Sequence, residues 1–516
     1  MIPGNVARLY HDETAHSAAS VRSSRHTLDW DIKPFAFKVY TDVPAVPLPR
    51  DLEPLDVPVI SAPAAGGEAG PMSLGTLTSL LYYSAGVTKK KAYPGGGEML
   101  FRAAASTGAL YQTEVYVAAG EVAGLAPGLY HFCPGDFTLR RLRDGDVRGA
   151  LAAAAAEPAV ARRAVTLVLT AIFWRNTWKY QARGFRHLYW DSGTMLANMM
   201  ATGHALAQAP RLLAGFVDAE INHLLGVDAE REAGLELLLL GREGAPAPAV
   251  DVPAIDHATM PLSAQEVDYP LLRRMQEASS LDTAAAVGAW RAAVTSPPRA
   301  TPATVVSLPP PVAGGRGLGE TIQRRGSSRR FTREPITTAQ LATALWAATR
   351  PLNADVPGGL VDLYLIVSAV EGIAPGAYAY HAPPHALESL APGDFRRQAA
   401  YLCLEQPLAG DAAAVIFFAA SLHDVLATAG DRGYRVVNME AGIAGGRAYL
   451  AAYAHGFGAS GLTFYDADVI EFFSPHAAGK DALFVTALGR GTTAAGDMLR
   501  STAIQPMATT PPPRRP

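Results

Sequence analysis

Four short runs of this 516-residue chain carry residue types that could do chemistry. Arg325-Gly326-Ser327-Ser328-Arg329 sets a guanidinium on each side of a hydroxyl, and a phosphate dianion needs fixed cationic donors of that kind or clustered backbone N–H groups. Gly458-Ala459-Ser460-Gly461-Leu462-Thr463 reads as a turn whose small residues let a backbone approach a ligand, which makes Ser460, Gly461 and Leu462 candidate contacts. Alone, Arg325, Ser327 and Arg329 read more often as a solvated basic face near a helix start. Ser106-Thr107-Gly108, downstream of Arg102, reads alone as a turn before a strand at Val115, and Lys179-Tyr180 as a solvated lysine beside a packed aromatic. His187, His204 and His455 read as packed helix residues, because no carboxylate or second histidine recurs at metal spacing, and no metal site is expected.

The elements that must position these runs come twice. Gly124-Leu125-Ala126-Pro127-Gly128-Leu129-Tyr130 returns as Gly372-Ile373-Ala374-Pro375-Gly376-Ala377-Tyr378, Arg183-Gly184-Phe185-Arg186 as Arg432-Gly433-Tyr434-Arg435, and Leu239-Leu240-Gly241-Arg242 as Ala487-Leu488-Gly489-Arg490. The offset barely moves, so the chain reads as two copies of one domain. In each copy β-branched and aromatic runs alternate with helical patterns, the sign of an α+β or α/β layered domain. Strands are expected at Val115 to Ala119, Val165 to Phe173, Leu235 to Leu240, Val361 to Val370, Ala414 to Ala420 and Ala482 to Leu488. Helices are expected at Asp191 to Gln208 and Val437 to His455. Gly193, Gly442, Gly445 and Gly446 lower helix propensity there by roughly 1 kcal/mol each, which a close helix-to-helix contact would justify.

Composition bounds the rest. Apolar residues at 49% suffice for sizeable cores, and a formal charge of −3 leaves no excess positive charge for a nucleic-acid partner. Cys133 and Cys403 read as reduced core thiols, outside any disulfide or zinc spacing. The start lacks an apolar signal region and runs such as Val165 to Trp174 are too short for a bilayer, which points to a cytoplasmic protein with no membrane partner. The expected organisation is an extension (1–60), a first copy (61–245), a helical segment and Pro/Gly-rich linker (246–317), a second copy (318–496) and a disordered tail (497–516).

Leu81-Tyr82-Tyr83-Ser84-Ala85-Gly86-Val87-Thr88, Ser106 to Tyr111, Gly128-Leu129-Tyr130-His131 and Lys179 to Arg186 together resemble the SagB-type dehydrogenases of the flavin-dependent nitroreductase superfamily. Tyr10 to Thr14 and Asp29-Trp30 are also similar to that group, and Arg325 to Phe331 is similar to the superfamily's phosphate-binding opening. Thr107, Gln112 and Gln181 depart from the pattern, which commonly has Ala, Pro and Gly there. The resemblance implies an α+β fold, a central mixed sheet flanked by helices, and a dimer with FMN across its interface. A tandem chain would build that dimer internally, as a pseudo-dimer that permits a monomer.

Two sites would then be expected, and the copies have lost opposite halves of them. Opposite Arg325, Ser327 and Arg329 the first copy has Ser61, Pro63 and Ala65, and opposite Gly458 to Thr463 it has Ala209 to Ala214. Opposite Ser106-Thr107-Gly108 the second copy has Ala354-Asp355-Val356, opposite Lys179-Tyr180 it has Thr428-Ala429, and residues 86–101 have no counterpart and suit a loop or lid. One composite site survives, so one FMN per chain is expected, with Arg325, Ser327, Arg329, Ser460, Gly461 and Leu462 at the phosphate and Arg102, Ser106, Thr107 and Gly108 at the ring. The resemblance gives Lys179 and Tyr180 the catalytic acid–base role, with burial under a lid and Arg102 or Lys89 to Lys91 nearby depressing the Lys179 amine. It implies an oxidase acting on an azoline-type heterocycle or another small-molecule, peptide- or carrier-bound biosynthetic intermediate, in company with other biosynthetic enzymes. The alternatives are an NAD(P)H-dependent nitro or quinone reductase and a degenerate, non-catalytic scaffold.

Overall fold

The computed structural model describes residues 4–61, 69–92, 98–298, 302 and 304–492. The tail at 497–516, Pro63, Ala65 and residues 93–97 of the 86–101 insertion lie outside the described residues.

Two seven-stranded sheets organise the chain. The first contains β1 (Ala45–Pro47), β2 (Thr113–Ala119), β3 (Gly128–Cys133), β4 (Thr138–Asp144), β5 (Arg163–Ile172), β6 (Arg211–Leu213) and β7 (Glu232–Glu243), in the order β1-β4-β3-β2-β5-β7-β6. The second contains β8 (Val306–Ser307), β9 (Asp362–Val367), β10 (Gly376–His381), β11 (Ala386–Pro392), β12 (Ala414–Ala420), β13 (Gly458–Gly461) and β14 (Asp481–Gly489), in the order β8-β11-β10-β9-β12-β14-β13. The order is the same with every label advanced by seven, so the sequence repeat is a structural repeat. Every strand pairing within the two sheets is antiparallel, which corrects the expectation of mixed sheets. Short turns join β2 to β3 to β4, and β9 to β10 to β11, and short connections return a chain antiparallel. The expected linker also does more than connect: Val306–Ser307, flanked by prolines two and three residues on, adds an edge strand, the place in a sheet where proline is tolerated.

Five helices matter for the site: α1 (Asn5–Glu13), α2 (Phe173–Tyr180), α3 (Gly184–Ala205), α4 (Leu318–Arg324) and α5 (Arg432–Ala454). The long helices α3 and α5, one from each half, cross at their glycines. A Cβ on Gly193 would stand 2.5 Å from the Met439 carbonyl oxygen, and one on Gly442 would stand 2.5 Å from that of Trp190. Backbone therefore lies on backbone, the contact that offsets the glycines' propensity cost.

The repeated Arg-Gly-aromatic-Arg motifs fasten this crossing. Arg183 and Arg186 of the first half pair with Asp466 of the second, and Arg432 and Arg435 of the second pair with Asp218 of the first, all buried. This reciprocal exchange is what a pseudo-twofold seam requires. Helix α1 lies over the same seam, where the Ala7 amide donates to Asp431, Arg8 pairs with Asp481 and the Tyr10 hydroxyl donates to the Ala182 carbonyl. Among the described residues no helix is long and apolar enough to cross a membrane. Both cysteines are buried and free.

Candidate functional site

On the amino-terminal half, a buried carboxylate that sequence spacing did not single out organises the Ser106–Gly108 turn. Asp191, on α3, accepts from the Ser106 hydroxyl at 2.6 Å, the Thr107 amide at 2.8 Å, the Thr107 hydroxyl at 2.6 Å and the Gln112 side-chain amide at 2.7 Å. Burial pushes its carboxyl up to about 6, and those four donors oppose the push. The hydroxyls of Ser106 and Thr107, and Gln112, are the residues that let one acid hold the turn. Gly108 follows at φ 63°, and a Cβ there would meet the Tyr180 hydroxyl at 2.9 Å, so the glycine makes room for that phenol. Arg102 departs from expectation. Its guanidinium is buried, donates to the carbonyls of Thr113 and Ala36 and lies over the rings of Phe37 and Tyr111, so it braces the amino-terminal extension instead of facing a ligand. Burial lowers it to about 10.

On the carboxy-terminal half, the Arg325–Arg329 run leaves the C-terminal end of α4 instead of opening a helix. Arg325 reaches across the seam, where its Nε donates to the Ala103 carbonyl at 2.8 Å and its Nη2 to the Arg102 carbonyl at 3.1 Å. Ser327 meets the Tyr449 hydroxyl at 3.3 Å, and that hydroxyl accepts from the Gly461 amide. The Ser328 amide donates to the Ala459 carbonyl. Gly458 to Gly461, expected as a turn, is the edge strand β13, with Ser460 buried and opposite Ala487. An edge strand still serves a close approach, because its outer side is free of a neighbouring strand. Gly461 is exposed and Leu462 follows it, half-buried.

Lys179 and Tyr180 end α2 and meet the second half through Arg329. The Lys179 amine is half-buried and lies 5.3 Å from the Tyr180 ring centroid. Its pKa is lowered by burial and then by the positive charge of Arg329. Arg102 and Lys89 to Lys91 do not figure among the causes. The insertion at 86–101 is a hairpin, Val87–Ala92 with Glu98–Arg102, in which Lys90 pairs with Glu98 and Lys89 lies over Phe101. The Tyr180 hydroxyl is raised by burial and by Asp191, with Arg329 opposing, so it stays a neutral donor. His187 packs as expected, edge-on to Tyr180 and stacked on Trp190. Arg329 itself is exposed, with no hydrogen bond or ion pair among the described residues. Arg325, Ser327, Arg329, Ser460, Gly461 and Leu462 therefore come from one half and Ser106, Thr107, Gly108, Lys179 and Tyr180 from the other.

The pseudo-symmetric position is closed. There the edge strand β6 is zipped to the loop that corresponds to Ser106–Gly108: the Leu212 amide donates to the Asn353 carbonyl at 2.8 Å and the Asp355 amide to the Leu212 carbonyl at 3.1 Å. Asp355 also accepts from the amides of Ala214 and Gly215 and from Arg291. Glu440 stands where α3 has Asp191, and holds the Gly359 and Leu360 amides. Arg447 donates to the carbonyls of Arg350 and Pro351, the counterparts of the Arg102 region that Arg325 grips on the other side. Two cavities border that position, of about 70 Å³ and 240 Å³, each below the roughly 300 Å³ or more of a site that encloses a small-molecule ligand.

A second group of chemistry-bearing side chains, distant from the seam in sequence, is His381, Glu388 and His476, brought together on the second sheet. Sequence spacing concealed it, because the residues belong to two neighbouring strands and a loop.

Residues 322–489 match the family model described as "Nitroreductase family". The "Putative nitroreductase MJ1384" of Methanocaldococcus jannaschii is 28% identical over 176 residues, 34% of this chain and 83% of that protein. The solved structure of a "putative nitroreductase" from Anabaena variabilis matches with a TM-score of 0.77 at 28% identity, covering 95% of this chain and 100% of that one. Residues 322–489 are thus similar to the nitroreductase family, and the whole two-sheet architecture is similar to that of a solved structure.

Proposed function

We propose that the chain is an FMN-dependent dehydrogenase with one flavin per chain, held across the seam. The observation that carries this is the meeting of Arg329 from one half with Lys179 and Tyr180 from the other, while the mirror position is closed by the Leu212–Asn353 zipper. The residues fit the cofactor. Arg329 supplies a cation with no protein partner among the described residues, Ser327 and exposed Gly461 flank it, and Ser106 to Gly108 form the rigid turn opposite. Arg325 contributes by clamping the Arg102–Ala103 backbone to the phosphate side.

When bound, FMN supplies the two-electron acceptor. The chain's own part is proton transfer and orientation. Lys179, its ammonium disfavoured by burial and by Arg329, is the base that takes the substrate's proton at Nζ. Tyr180, neutral and wedged against Gly108, orients that amine. The substrate class is an azoline-type heterocycle, peptide- or carrier-bound, delivered by other biosynthetic enzymes to a monomer whose halves already pair. A second reading, reduction of nitro or quinone compounds by NAD(P)H, is favoured by the descriptions of the two relatives. The test is anaerobic reduction of the bound flavin. An azoline peptide should reduce it in the wild type, and Lys179→Ala should keep flavin yet lose that reduction. Undiminished reduction by the variant removes Lys179 from the chemistry, and reduction by NAD(P)H alone selects the second reading.

A further inference from the structure

We propose that His381, Glu388 and His476 bind a divalent transition metal, zinc foremost, at a site on the second sheet separate from the flavin seam. The two strands that carry the first ligands are neighbours. In the β10–β11 register His381 faces Ala386 and Glu388 faces Ala379, so the histidine and the carboxylate occupy diagonal positions on one face of the sheet. His476 arrives from the loop between Phe473 and Asp481. The Nε2 of His381 stands 2.8 Å and the Nε2 of His476 3.4 Å from the same Glu388 oxygen, and one ligand atom from each residue lies within 4.8 Å of the others. Tetrahedral zinc with bonds of about 2.1 Å separates its ligands by roughly 3.4 Å, so the side chains need shift by less than about 1.5 Å to enclose it.

The surroundings suit a ligand set. The Tyr364 hydroxyl meets His476 Nδ1 at 3.0 Å and donates to the His476 carbonyl at 3.3 Å. With its own proton on the His476 carbonyl, that phenol can accept a hydrogen bond from Nδ1–H, which leaves the Nε2 lone pair for a metal, the outer-sphere contact that orients metal-binding imidazoles. Nearby Lys480 is paired with Asp362 at 2.8 Å, which offsets a charge that would otherwise repel a cation. His381 and His476 line a cavity of about 760 Å³, room for water or an anionic group as the fourth ligand. The cluster is not a general property of the repeat. The 248-residue offset that matches Tyr116 with Tyr364 puts Cys133 at the place of His381 and Arg140 at that of Glu388.

The experiment is dialysis of the full, tag-free chain against Zn²⁺ alone, with bound metal counted by elemental analysis and affinity measured by calorimetry. One tight equivalent is expected in the wild type, absent in His381→Ala/His476→Ala, with Tyr364→Phe weakened roughly tenfold to a hundredfold. Should the double variant fail to fold, Glu388→Gln, nearly isosteric, gives the same readout. No tight equivalent in the wild type, or equal uptake by Glu388→Gln, overturns the assignment. Flavin content is unaffected in either case, so this result and the flavin reading stand or fall separately.

Discussion

Asp191→Ala removes the acid that fastens the Ser106–Gly108 turn, and its effect can be worked from the two sides of that acid's environment. Held at about 6 instead of 3.8, the ionised carboxylate is disfavoured in the folded chain by roughly 3 kcal/mol. That figure is already net of four donors, from Ser106, Thr107 and Gln112, and truncation leaves those donors buried without an acceptor at about 1–3 kcal/mol each. Truncation therefore relieves the burial cost but orphans the donors, and the balance is a net loss of about 1–3 kcal/mol with the turn released. If half or more of that loss falls on the turn, FMN binding weakens by roughly tenfold. The pH dependence has a definite sign. Because the folded carboxyl titrates above its unfolded value, its proton favours the folded state as pH falls from about 6 toward 3.8, so the fold persists. The protonated oxygen becomes a donor and a poor acceptor facing other donors, so the turn loosens. Wild-type FMN affinity should fall below about pH 6 by more than that of Asp191→Ala, the titration of the FMN phosphate being common to both. FMN fluorescence titrations with parallel thermal melts measure this. An Asp191→Ala protein that binds FMN within twofold of the wild type across that range would refute the reasoning.

Two further predictions follow from the seam. Arg329→Ala should weaken FMN binding at least tenfold and riboflavin binding little, since riboflavin lacks the phosphate; equal losses for both flavins would place Arg329 away from the phosphate. Asp466→Asn and Asp218→Asn each leave two buried arginines without their acid and should each destabilise by about 3–5 kcal/mol at neutral pH, by denaturant unfolding. Both carboxyls are held below their ordinary value by those arginines and against burial, so the deficit should shrink as pH falls below about 4, where the unfolded wild-type chain takes up protons that the folded one still refuses. A loss in one variant and none in the other would contradict the reciprocal seam.

The sequence made the duplication and the strands legible because both rest on local pattern: an apolar run such as Ala414 to Ala420 spells its own burial, and Gly193 and Gly442 announce a helix crossing by their propensity cost. Complementary losses between copies also set Arg329 opposite Lys179 and Tyr180 of the other half, and the structure brings those three near one another. What the sequence hid depends on distance along the chain. Asp191 collects donors some 80 residues away, Asp466 answers arginines 280 residues away, and His381, Glu388 and His476 converge only through strand register. Arg102 misled because an arginine preserved in both copies looked like a ligand contact, whereas burial committed its guanidinium to the carbonyls of Thr113 and Ala36. The Gly458–Gly461 run misled for a different reason: small residues suit an edge strand as well as a turn, and only the ladder with Asp481–Gly489 decides between them.

The flavin content of the purified chain tests the composite seam most directly. Absorbance of FMN released by denaturation, divided by polypeptide concentration, should approach one after reconstitution with excess FMN, and Arg329→Ala should lower it. A ratio of two would reopen the closed position at Leu212 and Asn353, and a ratio of zero would leave the seam a scaffold without its cofactor.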